Sequence, residues 1–336
     1  MLKLFQSIFG SEKAQQGYPE SLIEMAIERA VDGTDPRLRA LPGYRKRLRV
    51  PVIHAIDHVI ALVDALPPPL SAGRNSYAAE PRFSTLFASA DHMLEVFSHD
   101  TALAGFLGSQ DSVAERVTAL LLAERVEKNI LGMDIVGGAV RRDVAQVAVS
   151  FSGHRLVDPM SDEDAMRRLL KRRAFDHLLT LALTRIIEKR EERADLVRQR
   201  DLLRRKLDAL ERSGWSFDEV EAAGRPEASD LAAELEEIEG QFKAMGAETS
   251  LLDAHLDIVA SLLGTAEQQL WGETLVIRLD RMNIKRDAQD ESARNIELQE
   301  LHNAQGRRLV MLLVSVAPGE LPKREDLHTL AQRYLA

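Results

Sequence analysis

Apolar residues recur at steps of three and four through much of the second half of the chain. They run Phe175, Leu179, Ala182, Ile186, Leu196, Leu203, Leu207 and Leu210, then after a break Leu231, Leu235, Ile238, Phe242, Met245, Leu252, Leu256, Val259 and Leu263. This spacing draws one stripe along a helix and asks for a facing helix to bury it. Folding the second segment back on the first sets Leu210 opposite Leu231, Leu203 opposite Ile238, Leu196 opposite Met245, Ile186 opposite Leu256 and Leu179 opposite Leu263. The pattern therefore predicts an antiparallel coiled-coil hairpin over residues 161–264. In that register Arg200 lies on the Phe242 ring, Arg193 faces Thr249, and Lys189 packs its stem on Leu252.

Charge selects the same pairing. The first arm is basic, with Lys189, Arg190, Arg193, Arg198, Arg200, Arg204, Arg205 and Lys206, and the second carries Asp230, Glu234, Glu236, Glu237, Glu239, Glu248, Asp253 and Asp257. Exposed pairs are worth roughly 0.2 to 1 kcal/mol each, whereas a well-buried Leu or Ile contributes roughly 1.5 to 3. The seam stabilises, and the charges decide which arms meet. Glycine and proline close the helices around a tip at 213–228. There Trp215 and Phe217, beside Asp218 and Glu219, either plug the open end of the seam or dock on a partner.

Upstream the helical period continues. Leu22, Ile23, Ala26 and Ile27 share one face of a helix from Pro19 to Val31, and Pro51 opens another that Pro67-Pro68-Pro69 stops near Leu66. Further helices are expected over 83–88, 91–97, 101–107 and 112–130. Together these give a tail at 1–16 and a helical bundle at 17–131. From Asp143 the period drops to two, with Ala145, Val147, Val149 and Phe151 alternating against Val144, Gln146 and Ala148, which is strand spacing. Ser152-Gly153 reads as a tight hairpin turn before a second strand at 154–157. Ser161 with Asp164 can cap the long helix that follows. Beyond the hairpin, 275–280 alternates as a strand, 292–302 reads as a helix, 308–316 as a buried strand, and Pro322 precedes a last helix. The expected fold class is mainly α with a small antiparallel β-sheet (α+β). Its head is built from 132–160 and 265–336, with the hairpin inserted between.

Composition narrows the chemistry. The chain of 336 residues is 45% hydrophobic, has no cysteine, and carries a formal charge of −9. Disulfides and thiolate catalysis are excluded, and a dedicated nucleic-acid binder is disfavoured. Met1-Leu2-Lys3-Leu4-Phe5 opens no signal-peptide pattern, and no stretch approaches the roughly 20 apolar residues that cross a bilayer. A cytoplasmic location, possible at the inner face of a membrane, is the expectation.

His54 and His58 stand four apart on one helical face, and Asp91, Glu95 and His99 stand on another, so the five are candidate metal ligands. The Glu-x-x-His spacing of di-iron bundles is absent, and solvated helix faces account for the same residues. No phosphate loop, His-Glu-x-x-His, Gly-x-Ser-x-Gly or Gly-x-Gly-x-x-Gly is present, so no cofactor and no catalytic residue is assigned. Arg37, Arg39, Arg45, Lys46, Arg47 and Arg49 form a basic run. With the apolar Leu2, Leu4, Phe5, Ile8 and Phe9 it offers two signals for an anionic membrane surface; alone it is a solvated charge run. The expected function is a non-enzymatic interaction or scaffold protein presenting its arm to a protein partner. The alternatives are a peripheral membrane protein and a metal-dependent enzyme using His54 and His58.

Overall fold

The computed structural model describes residues 18–109, 115–136, 139–213, 228–244, 248–288 and 290–322. Among these, one compact unit comprises 57–174 and 267–322, the other 18–56 and 175–266. The fold is α+β, with one six-stranded sheet.

The elements in chain order are α1 (Glu20–Asp32), a 3-10 turn (Pro36–Ala40), α2 (Tyr44–Asp64), β1 (Leu70–Ala72), α3 (Arg74–Ala79), α4 (Pro81–Leu86), α5 (Ala90–His99) and α6 (Thr101–Gly108). There follow β2 (Val117–Val136), β3 (Ala139–Met160), α7 (Glu163–Ser213), α8 (Ala228–Ala244), α9 (Glu248–Gly264), α10 (Ala266–Gln269), β4 (Leu270–Leu279), β5 (Arg294–Asn303) and β6 (Arg308–Val316). Among the described residues no helix is long and apolar enough to cross a membrane.

In the sheet unit the order is β3-β2-β6-β5-β4, antiparallel throughout, and β1 adds to β6 in parallel. Strand β6 is central and is covered on both faces, which is why it reads as an unbroken apolar run. Val310, Leu312, Val314 and Val316 join Phe83, Phe97 and Leu103 of the helices, and Phe87 of the link after α4, on one side. Met311 and Leu313 join Leu120, Leu122, Val63, Met166 and Leu170 on the other.

Two long hairpins diverge from β6. Strand β2 pairs with β6 only as far as Ala123↔Val310, then continues with β3 alone. Strand β5 leaves β6 beyond Gln299↔Met311 and continues with β4. The far ends meet again: the Val149 N–H donates to the Asn283 carbonyl at 2.8 Å and the Lys285 N–H to the Val147 carbonyl at 2.9 Å. Curvature comes from β3. The β2–β3 register shifts between Thr118 and Leu120, between Leu122 and Glu124, and between Gly132 and Asp134. Each shift sets two β3 residues against one on β2, and each contains a positive φ, at Asp158 (54°), Gly153 (63°) and Asp143 (59°). These are β-bulges, which bend a strand and raise its twist.

Several sequence expectations are corrected here. The helix expected over 112–130 is part of β2. Residues 117–123 are all buried, so the two-residue alternation is hidden, and Leu, Ala, Glu and Arg leave a helical impression. The helix expected at 292–302 is β5, where Ile296, Leu298 and Glu300 are the buried alternate positions. Ser152-Gly153 is a bulge within one continuous strand, not a hairpin turn. Pro51 does not open α2 but lies seven residues inside it. An interior proline costs about 3 kcal/mol. Leu48, Val52, Ala55 and Ile56, at 0–1% exposure, outweigh it by burial. The helix expected after Pro322 lies outside the described residues.

In the helical unit, α1 buries Leu22, Ile23, Ala26, Ile27, Ala30 and Val31. Gly33 ends it where a Cβ would stand 3.0 Å from Leu179 Cδ1 of α7. Arg29 Nε donates to Asp176 of α7 at 2.6 Å. Further along, Leu203, Leu231 and Ile238 form a buried cluster with Leu196, Leu207 and Leu235 against it.

Candidate functional site

A cleft of 770 Å³ opens in the sheet unit where β2 parts from β6. One wall is β2 from Glu124 to Glu127, with Arg155 from β3 beside it. The other is the β5–β6 turn, with Gly306, Arg307, Arg308 and Leu309. Local chemistry fixes each wall. The turn is held by Asn303, whose Oδ1 accepts from the backbone N–H groups of Gln305 (3.2 Å) and Arg307 (3.0 Å). Gly306 supplies the left-handed backbone at φ 78° that a side chain would resist. Opposite, the Gly153 bulge lets Glu124 lie close: a Cβ on Gly153 would stand 3.9 Å from the Glu124 carboxyl carbon.

The floor is an ion-pair network. Glu300 is 3% exposed. Arg125 donates to it from Nε at 2.6 Å and from Nη2 at 3.3 Å, a two-point grip. Arg125 also binds Glu127, and Lys285 Nζ reaches Glu127 at 2.6 Å. Burial alone would raise the Glu127 carboxyl, but the hydrogen bonds and charges of Lys285 and Arg125 together outweigh it and hold the group below the ordinary carboxylate range. His302 stacks on Trp271 at 5.5 Å and brings Nε2 within 3.5 Å of Glu300. The inward charges are thus committed to one another. Arg155, Arg307 and Arg308 are exposed on the same cleft and have no acidic partner among the described residues.

None of these residues was singled out by the sequence. With 292–302 read as a helix and Ser152-Gly153 as a hairpin, the walls of the cleft did not exist. The one local signal was the Gly306-Arg307-Arg308 run between two segments.

The expected site residues are dispersed. His54 is exposed on α2 in the helical unit, and His58, in the sheet unit, places Nε2 2.7 Å from the Leu270 carbonyl. Asp91 pairs with Arg74 at 2.6 Å, and His99 Nδ1 bonds the Glu95 carbonyl, not its carboxylate, at 2.8 Å. Among the described residues no three His, Asp or Glu side chains are placed to share a cation. The basic run is largely neutralised within its own unit. Arg37 meets Asp35 at 3.2 Å, and Arg39 meets Glu28 at 2.9 Å and Asp32 at 2.6 Å. Arg45 meets Glu28 at 2.9 Å, Arg47 meets Asp253 at 2.6 Å and Asp257 at 2.5 Å, and Arg49 meets Glu20. Lys46 is exposed without an acidic partner among the described residues. Trp215, Phe217, Asp218, Glu219 and the apolar N-terminal positions lie outside the described residues.

Between α7 and α8, Arg200 sits over the Phe242 ring at 5.2 Å as expected, and Arg193, expected to face Thr249, lies over the same ring at 4.8 Å. Arg204 pairs with Glu239. Comparison with protein-family models, with curated proteins and with solved structures finds no match to this chain.

Proposed function

We propose that this chain is a non-enzymatic interaction protein of the cytoplasm. In this reading α7 and the α8–α9 segment form an antiparallel coiled-coil arm that presents its tip to a protein partner. The observation that carries it is the joint burial of Leu203, Leu231 and Ile238, to 5–7% exposure, in a cluster that, among the described residues, draws on these helices alone. Arg200 over the Phe242 ring and Arg204 on Glu239 support the same register. A 51-residue helix spans about 75 Å at 1.5 Å per residue, far more than its packing in a small core requires. Such length is useful for reach. The peripheral-membrane reading is weakened by the carboxylates that already hold five of the six cations between Arg37 and Arg49.

The test is an affinity capture comparing the intact chain with one in which residues 214–227 are replaced by a glycine-serine linker. Both must unfold at the same temperature. Partners lost on replacement support the arm as the binding element. An unchanged set of partners would remove it.

A further inference from the structure

We infer that the cleft beside β2 is a binding site for a small phosphate or diphosphate compound carrying two or more negative charges. Three cations unpaired among the described residues, Arg155, Arg307 and Arg308, line it against one carboxylate, Glu124, that is likewise unpaired there. Guanidinium forks match phosphate oxygens two at a time and keep their charge at any physiological pH. A single carboxylate would leave most of these donors unused, whereas a diphosphate can engage all three. The floor makes this economical. Glu300 and Glu127 already neutralise Arg125 and Lys285, so they do not compete for the outer arginines.

The dimensions fit a small molecule. The 770 Å³ volume lies inside the range of about 300 to 1,000 Å³ common for small-molecule sites. Its walls are set before any ligand arrives, by Asn303 under the turn and by the bulge at Gly153. A preset site avoids the ordering entropy that weakens binding to flexible loops. This inference stands apart from the arm, since every residue in it belongs to the sheet unit.

Calorimetric titration of the full-length protein with sodium pyrophosphate in low salt tests it, with citrate and a single-stranded RNA 20-mer as separate arms. Wild-type protein should bind pyrophosphate at a single site, with affinity falling as salt rises. Each of Arg155→Ala, Arg307→Ala and Arg308→Ala should weaken binding about tenfold, the fold-change for one charge-assisted hydrogen bond. Glu124→Gln should strengthen it several-fold. All four side chains are exposed and unpaired, so the variants should keep the wild-type unfolding temperature. Absence of pyrophosphate binding at 10 mM, set as the ceiling of the assay at about the weakest specific range, overturns the inference. So does wild-type affinity in the triple arginine variant. Equal affinity for citrate would overturn the phosphate assignment, and binding of the RNA alone would overturn the small-molecule one.

Discussion

His255 and Asp35 form a buried pair, with Nδ1 2.9 Å from Oδ2 and side chains 0% and 3% exposed. A carboxylate can only accept, so Nδ1 carries the proton and donates it. Nε2, the other ring nitrogen, is buried without a hydrogen-bond partner. Asp35 gathers Arg190 from α7, Arg37 from the 3-10 turn and His255 from α9, and its Oδ1 accepts the Arg37 N–H at the start of that turn. Replacing Asp35 by alanine strands the His255 donor and removes the cap. Arg37 and Arg190, both partly exposed, can turn to water, whereas His255 cannot. The expected loss is about 3 kcal/mol, from an unsatisfied buried donor and a lost cap. Urea unfolding of Asp35→Ala beside Asp35→Asn measures it, and Asn, which keeps an acceptor, should lose less.

The same pair predicts how stability depends on pH. Burial pushes the His255 pKa below its ordinary 6.5, more than the Asp35 hydrogen bond raises it. At Asp35, burial acts upward, but hydrogen bonds from Arg37 and His255 outweigh it and hold the carboxyl far below 3.8. Both groups are depressed in the folded state, so both contributions are intact above the unfolded values and decline as pH falls. His255 acts first, from 6.5 downward, and Asp35 only below 3.8. His154 in the sheet unit is also depressed, mainly by burial, and adds to the first step. Unfolding temperatures at pH 7.5 and 5.5 should show a smaller drop in His255→Asn than in wild type, because asparagine keeps a donor and does not titrate. An equal drop would show that His255 is not the sensor.

The bulges of β3 give a third expectation. Gly153 holds φ at 63°, Asp143 at 59°. Left-handed backbone is easy for glycine and costs other residues roughly 1 to 2 kcal/mol. Gly153→Val should therefore destabilise by about that amount, more than Gly153→Ala, while Asp143→Gly should be neutral or slightly stabilising. Thermal unfolding of the three variants separates bulge from hairpin. At a solvent-exposed hairpin turn, by contrast, a substitution at 153 would leave pairing beyond it free to slip.

What the sequence revealed follows from how each element is buried. Strand β6 was legible because Val310, Val314 and Val316 are β-branched and its run is short. Helix α1 was legible because Leu22, Ile23, Ala26 and Ile27 fall on one face, opposite a polar one. Strand β2 was not, since Leu120, Leu121 and Leu122 face two different cores and so lose the alternation that marks a half-exposed strand. The cleft was out of reach for a related reason. Arg155 and Arg308 are 153 positions apart in the chain and face one cleft from opposite walls only because a glycine read as a turn is a bulge. The burial of Leu203, Leu231 and Ile238, by contrast, was readable, since helix periodicity is local.

Closure of the two long hairpins depends on a few polar contacts. Arg286 binds Asp134 and Asp280, and Lys285 reaches Glu127, beside the backbone bonds at Val147 and Val149. Arg286→Ala should release that junction before the rest of the sheet. Hydrogen exchange at the Val149 and Lys285 amides should then accelerate by about tenfold, the equivalent of 1.4 kcal/mol, while the β2–β6 amides stay protected. Uniform acceleration across the sheet would mean the junction is part of one cooperative unit.

The seam offers the most direct trial of the arm. The chain has no cysteine, so Leu203→Cys with Ile238→Cys introduces the only two thiols. Both positions lie in one buried cluster with Leu231, and the proposed antiparallel register sets them opposite each other. A disulfide forms only where two Cα atoms come within about 7 Å. Mild oxidation should therefore give one internal bridge in the monomer, visible as faster migration on a non-reducing gel. Leu203→Cys with Leu196→Cys, two turns apart on the same helix, should give none. Bridges that join only separate molecules would mean that like arms pair between chains. The basic face of α7 opposes that outcome, because two copies of Arg198, Arg204 and Arg205 would then stand together with no acidic arm between them.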